Sequence, residues 1–184
     1  MGRGKSGLSG GGKNEGLTSA ERDAVFDYTT SRYLQLNSAL RSGKKMSKQD
    51  QKLDKNLESA MKKSKLDAGT TLYRGTNPDE LGLNKSVKSL SQSEIKNLVG
   101  KTITSDAYTS TAKTRKAAEN HAGRKLNGEV VIEYKNRTKR NGIDVGNNSN
   151  FGANEKEVIL PKNAKFKITG AKRRLGALYV TVEW

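Results

Sequence analysis

Apolar positions recur at helical spacing in two early stretches of the chain, then give way to short β-prone runs beyond Gly69. The first stretch, "LTSAERDAVFDYTTSRYLQLNSALRSG", opens with Thr18 three residues before Glu21. That is the spacing at which an N-cap hydroxyl and an acidic side chain cap each other's amides. Ala24, Val25, Tyr28, Leu34 and Leu40 follow, so a helix begins here, and a second is expected after the break at Thr29-Thr30-Ser31. The second stretch, residues 47–66, carries Leu53, Leu57, Ala60 and Met61 at helical spacing with charges elsewhere, which predicts a surface helix with one buried stripe. Residues 70–75, 101–111, 128–135, 156–161, 164–173 and 177–184 are β-prone and bounded by Gly, Asn or Pro, and each predicts a strand. A helix is expected within 112–126. Helices first and strands afterwards predict an α+β fold. Phe166, Tyr179 and Trp184 are expected in the core, with Tyr73, and His121 on a helix surface or packing face.

Residues 1–17 are rich in Gly and Ser without apolar periodicity and read as a flexible basic arm, leaving 18–184 as one domain. Gly2, Gly4 and Gly7 satisfy G-x-G-x-x-G, but a dinucleotide loop needs a strand before it, and Met1 leaves no room for one. "GKS" at 4–6 likewise lacks the upstream glycine and strand of a phosphate-binding loop.

With 184 residues and 32% apolar content, a single domain with a modest core is expected. The absence of cysteine excludes disulfides and thiolate metal sites, and one histidine leaves little for a zinc centre. Catalysis would therefore run on carboxylates, hydroxyls, Arg and Lys. No apolar run approaches a membrane span or a signal-peptide core, so a cytoplasmic location in the producing or infected cell is expected. The net charge of +16 favours an acidic partner. It is spread along the chain, 14 basic against 7 acidic residues up to Lys65 and 21 against 12 beyond it. The clusters at 135–140 and 172–174 are candidate contact patches, weighed against ordinary solvated surface charge.

Within "GANEKEVILP" (152–161), Glu155 and Glu157 stand one residue apart at the mouth of an apolar run. In an extended chain they would share a face, where two carboxylates repel unless a cation or a chemical task accounts for them. Taken with Arg74 in "LYRGT" and Tyr108 to Thr111 in "AYTST", this pair resembles the mono-ADP-ribosyltransferases of the Arg-Ser-Glu type. The enzymatic components of bacterial binary toxins, the Rho-modifying exoenzymes and related phage-encoded enzymes are the members it is most similar to. The resemblance covers roughly residues 18 to 184. It includes Tyr28, Leu36-Asn37 and Leu40-Arg41 in the helical opening.

The resemblance implies helices packed on two antiparallel sheets, with NAD as co-substrate in the cleft between them and no metal. Cleavage of the glycosidic bond of NAD expels nicotinamide and leaves an oxocarbenium-like ribose, which needs a carboxylate nearby. By resemblance Glu157 is that carboxylate and Ser110 orients it. Arg74 binds the phosphate side, a guanidinium fork being suited to phosphate. Tyr73, Gly75, Thr111 and Asn37 complete the NAD-binding set. Ala112 departs from the second serine of the motif. Glu155 matches the first Glu of the Glu-x-Glu form associated with transfer to arginine, where it can act as base, and Phe151 is the loop residue expected to touch the protein substrate. The implied partner is a target protein bearing an acceptor arginine, with a nucleic-acid-bound protein as one candidate, no membrane, and a monomeric enzyme. Two rivals remain: a basic nucleic-acid-binding module, and an inactive descendant with a structural role such as one within a phage particle.

Overall fold

A computed structural model of the chain describes residues 16–122, 129–146 and 156–184. Helix α1 (Ser19–Asp27) starts where the sequence places its cap: the Glu21 amide donates to Thr18 Oγ1 at 3.2 Å, and the Thr18 amide to the Glu21 carboxylate at 2.7 Å. The same carboxylate binds Lys63 at 2.7 Å and Ser59 at 2.6 Å, fastening α1 to α3 (Lys48–Lys63). Hydrogen bonds from Lys63, Ser59 and the Thr18 amide hold its pKa down at about 2. Leu17, assigned by composition to the arm, is buried with Ala24 and Val25.

The expected break is a wide turn over Tyr28–Arg32, in which Thr30 leaves helical geometry. Its cause is local. The Thr29 and Thr30 hydroxyls donate to the Phe26 and Asp27 carbonyls at 2.7 and 2.6 Å, competing for groups a continuing helix would use itself. Helix α2 (Tyr33–Ser42) then runs to a left-handed Gly43. Together α1, α2 and α3 bury Val25, Tyr28, Leu36, Leu57 and Met61 against Tyr108, Ile143 and Ile159.

Two short strands, β1 (Lys65–Leu66) and β6 (Arg140–Asn141), form an antiparallel ribbon. The remaining strands are β2 (Thr71–Thr76), β3 (Thr102–Ser105), β4 (Thr109–Ala112), β5 (Val130–Lys135), β7 (Ile143–Asp144), β8 (Glu157–Leu160), β9 (Ala164–Arg174) and β10 (Ala177–Glu183). They join in one eight-stranded sheet in the order β3-β9-β10-β5-β2-β4-β8-β7. The α+β class stands, with one difference from an all-antiparallel expectation: β10 runs parallel to β5 from Leu178↔Val130 to Glu183↔Lys135. The β9–β10 hairpin docks on the free edge of β5 in the direction that turns Leu178, Val180 and Val182 into the main core. Side-chain alternation reports faces, not neighbours, so the sequence is silent on that joint.

The expected strand over 101–111 is divided into β3 and β4. Ser105 Oγ donates to the Ala107 carbonyl at 2.8 Å, and the Asn163 amide claims the Ser105 carbonyl at 2.6 Å, so the chain turns there. β3 then lies at an edge beside β9, and β4 lies between β2 and β8. A five-residue helix, α4 (Gln92–Lys96), is capped by Ser91 and is too short to show a period in the sequence. Tyr134, Phe166 and Trp184 meet edge to face at 4.9 and 5.5 Å in the main core. Tyr73 and Tyr179, expected there too, instead pack half-buried in a small outer cluster under α5 (Arg115–Ala122), which carries His121 on an exposed position. None of the described helices is long and apolar enough to cross a membrane.

Candidate active site

β2 and β4 share a single paired position, Tyr73↔Ala112, and beyond it the two strands part. Arg74 fills the fork. Its Nη1 donates to the Ser110 carbonyl at 3.0 Å, and its Nε lies 2.9 and 3.1 Å from the two Glu80 oxygens. Thr76 Oγ1 donates to Glu80 as well. Burial works against the Arg74 charge, but the field of Glu80 outweighs it and the net shift is upward, so the guanidinium stays charged. Burial likewise opposes the Glu80 charge, and Arg74 overcomes it to hold the carboxyl below its ordinary range. Half of the Arg74 fork is therefore committed within the protein, and the remaining Nη2 edge is what an incoming phosphate would meet.

Glu157 opens β8 and pairs directly with Ala112. Because Tyr73 also pairs with Ala112, the residues Tyr73, Ala112 and Glu157 form one row across three strands, about 5 Å apart per strand. The residue that departs from the family motif is thus the immediate cross-strand neighbour of the glutamate. Ser110 lies diagonally, opposite Ile159 and on the same face as Glu157. The chain enters β8 through a left-handed Lys156, with φ of 44°. This conformation costs an L-residue about 1–2 kcal/mol. Backbone bonds hold the bend: the Lys113 amide donates to Lys156 O at 3.1 Å, and the Val145 amide to Glu157 O at 3.0 Å.

Helices α1 and α2 bring Tyr28 and Asn37 to the same place. Asn37 Nδ2 donates to the Tyr28 hydroxyl at 2.9 Å and to the Tyr108 carbonyl at 3.2 Å, and the Tyr28 hydroxyl reaches the Tyr108 carbonyl at 3.3 Å. The Ser110 side chain lies beside the Tyr28 hydroxyl and acts to lower its pKa. Burial pushes the Tyr28 phenol up, against Asn37 and Ser110, so it remains a neutral donor. Tyr108 is anchored in turn, its hydroxyl donating to Asp54 Oδ1 at 2.9 Å. Asn37 Oδ1 is buried without a hydrogen-bond partner among the described residues.

Two residues of the expected NAD-binding set also make contacts that hold the fold. Thr111 is buried, and its hydroxyl donates to the Val158 carbonyl at 2.7 Å, tying β4 to β8. Gly75 is where α5 crosses β2: a Cβ there would fall 1.9 Å from the Ala118 carbonyl oxygen. Tyr73 has Arg115 5.6 Å over its ring, and both line a groove of about 360 Å³ that adjoins the row containing Glu157. Glu155 and Phe151 lie outside the described residues. Of the two basic clusters, 172–174 is partly spent on structure, since Arg173 donates to the carbonyls of Val87, Lys88 and Leu90. Glu80 was not foreseen. It reaches Arg74 from a 3₁₀ turn, Pro78–Leu81, that has no periodic signature. Tyr28 was visible in the helical pattern, but its place beside Ser110 depends on how the wide turn aims it.

A partly buried cation in a strand fork, a hydroxyl cluster and a carboxylate aligned beside them can hold a phosphorylated sugar and stabilise positive charge developing on it. The family model described as ADP-ribosyltransferase exoenzyme matches residues 11–181. Among solved structures, an ADP-ribosyltransferase from Clostridium botulinum is 21% identical, with a TM-score of 0.77 over 93% of this chain and 89% of that one. The C3 exoenzyme of Clostridium limosum is 18% identical, with a TM-score of 0.75 over 93% of this chain and 87% of that one. A protein from S. aureus with the same identity and TM-score was solved with NAD. The Vis toxin, an ADP-ribosyltransferase from Vibrio splendidus, is 24% identical, with a TM-score of 0.68 over 94% of this chain and 76% of that one; another Vis structure holds agmatine. No curated protein matches by sequence.

Proposed function

The chain belongs to the ADP-ribosyltransferase exoenzyme family, and we propose that it moves ADP-ribose from NAD to an arginine of a target protein, with Glu157 as the catalytic carboxylate. The observation that carries this reading is the alignment of Glu157 with Ala112 and Tyr73 at the fork that Arg74 and Ser110 share.

In this mechanism the bond between ribose C1′ and the nicotinamide nitrogen breaks, and its electron pair leaves with neutral nicotinamide. Positive charge spreads over C1′ and the ring oxygen. Glu157 accepts a hydrogen bond from the ribose 2′-hydroxyl and stabilises that charge. Tyr28 holds the Ser110 hydroxyl, and Ser110 orients the glutamate. The Arg74 edge left over from Glu80 and Ser110 receives a phosphate oxygen. An acceptor nitrogen then bonds to C1′ and gives up a proton.

A guanidinium has its pKa above about 12 and needs a base for that proton loss. Glu155 supplies it in this reading, and the glutamate at that position is what favours arginine over an acceptor such as asparagine. The agmatine in a Vis structure is a guanidinium compound, which supports the same acceptor chemistry. Water can take the acceptor's place, giving slow NAD hydrolysis. The test uses Glu155→Gln with two assays, nicotinamide release and ADP-ribosylation of agmatine. Hydrolysis retained with transfer lost supports the assignment; transfer at the parent rate refutes it.

A further inference from the structure

A second site lies at the far end of β8 from Glu157, about 13 Å along the strand. Lys139 and Arg140 approach it at the start of β6, beside Lys65 of β1, with Lys162 from the turn joining β8 to β9 and Lys165 from the start of β9. Trp184 also lines it. The groove encloses about 610 Å³. Lys162 is neutralised there by Asp54 at 2.7 Å and Glu58 at 3.1 Å. Lys65, Lys139, Arg140 and Lys165 form no ion pair among the described residues. Four uncompensated cations around one concavity repel each other and raise the local concentration of anions.

An independent observation marks the same groove. Trp184 is only 7% exposed, yet its indole Nε1 has no hydrogen-bond acceptor among the described residues. A buried donor left unsatisfied costs about 1–3 kcal/mol. The Arg140 guanidinium lies 5.6 Å over the Trp184 ring. A stacked guanidinium and indole beside a row of lysines is the pairing of flat surfaces and positive charge with which proteins hold single-stranded nucleic acid.

We propose that this groove binds the phosphate backbone of a single nucleic-acid strand, with a base stacked on Arg140. An acidic protein face would match the charge, but it offers no base for the Arg140 plane. Binding in the groove is independent of NAD chemistry. It gives the enzyme a second foothold through which a nucleic-acid-associated target would be brought to Glu157.

Trp184 is the single tryptophan of the chain, so its emission reports on this groove. Titrating the full chain with a single-stranded oligonucleotide of about 12 nucleotides should change that emission to saturation. The slope of log K against log salt should be about −3, for four phosphates neutralised at roughly −0.7 each. The double variant Lys139→Gln/Lys165→Gln should lower that slope by about 1.4 and weaken binding about tenfold, with nicotinamide release unchanged. Lys44→Gln/Lys45→Gln, distant in the α2–α3 connection, should leave both slope and affinity as they were. The proposal is overturned if the strand binds without altering Trp184 emission, or if the two double variants behave alike. It is equally overturned if polyglutamate binds as tightly as the oligonucleotide, which would make the groove an acidic-protein site.

Discussion

Arg74 Nη1 and the Ser110 carbonyl lie 3.0 Å apart at the point where β2 and β4 stop pairing, so one side chain replaces the ladder bonds that the two strands no longer exchange. The same guanidinium neutralises Glu80. Replacing Arg74 with Lys keeps the charge but cannot serve both partners and a phosphate at once. The variant should raise the Michaelis constant for NAD and lose about 1–3 kcal/mol of stability. Steady-state kinetics with a thermal melt check this; unchanged values for both would remove Arg74 from the site.

Tyr28 couples the helical layer to Ser110. In Tyr28→Phe the ring stays, but Asn37 loses an acceptor and Ser110 a partner, at a cost of about 1–2 kcal/mol in stability. Turnover should fall more than NAD affinity, because the defect lies in orienting Glu157. A variant in which the Michaelis constant rises while kcat holds would place Tyr28 in binding instead.

Gly75 separates packing from ligand contact. A methyl group there would overlap the Ala118 carbonyl oxygen at 1.9 Å, so Gly75→Ala should destabilise the fold by about 3 kcal/mol or more by driving α5 off β2. Chemical denaturation measures this. If stability is untouched while NAD affinity drops, Gly75 serves the ligand.

Glu21 ties α1 to α3, with a carboxyl whose pKa falls from 4.5 to about 2 on folding. A depressed carboxylate contributes stability above its unfolded pKa and loses that contribution as pH falls through the folded value. The loss should run from pH 4.5 down to about 2, and with Lys63 partly exposed it amounts to about 2 kcal/mol. Glu21→Gln should be less stable at neutral pH and flatter across that window. Parallel unfolding curves for the two proteins between those pH values would contradict the assignment.

What the sequence made legible is what local chemistry decides. The Thr18–Glu21 cap, the break at Thr29–Ser31 and the stripe of α3 each follow from side chains within a few positions of one another. Arg74, Ser110 and Glu157 stand out in the sequence by the order and spacing of their motifs, and the fold gathers them on β2, β4 and β8. The parallel joint of β5 with β10 and the Asn163 contact that ends β3 depend on segments far apart in the chain, whereas Glu80 reaches Arg74 from six residues away through a 3₁₀ turn that carries no periodic signature. Gly75 and Thr111 carry motif positions, and their surroundings, a helix crossing and a neighbouring strand, add packing roles that the motif does not announce. Lys156 enters β8 in a left-handed conformation that no local pattern in the sequence announces.

In the proposed mechanism Glu157 stabilises the ribose cation in every turnover. The most direct measurement is nicotinamide release from NAD by the purified protein and by Glu157→Gln, a substitution that keeps the shape and removes the charge. The parent should release nicotinamide, and the variant should be slower by a factor of about 100 or more with its melting temperature preserved. Equal rates from the two proteins would contradict the assignment of Glu157 and the mechanism built on it.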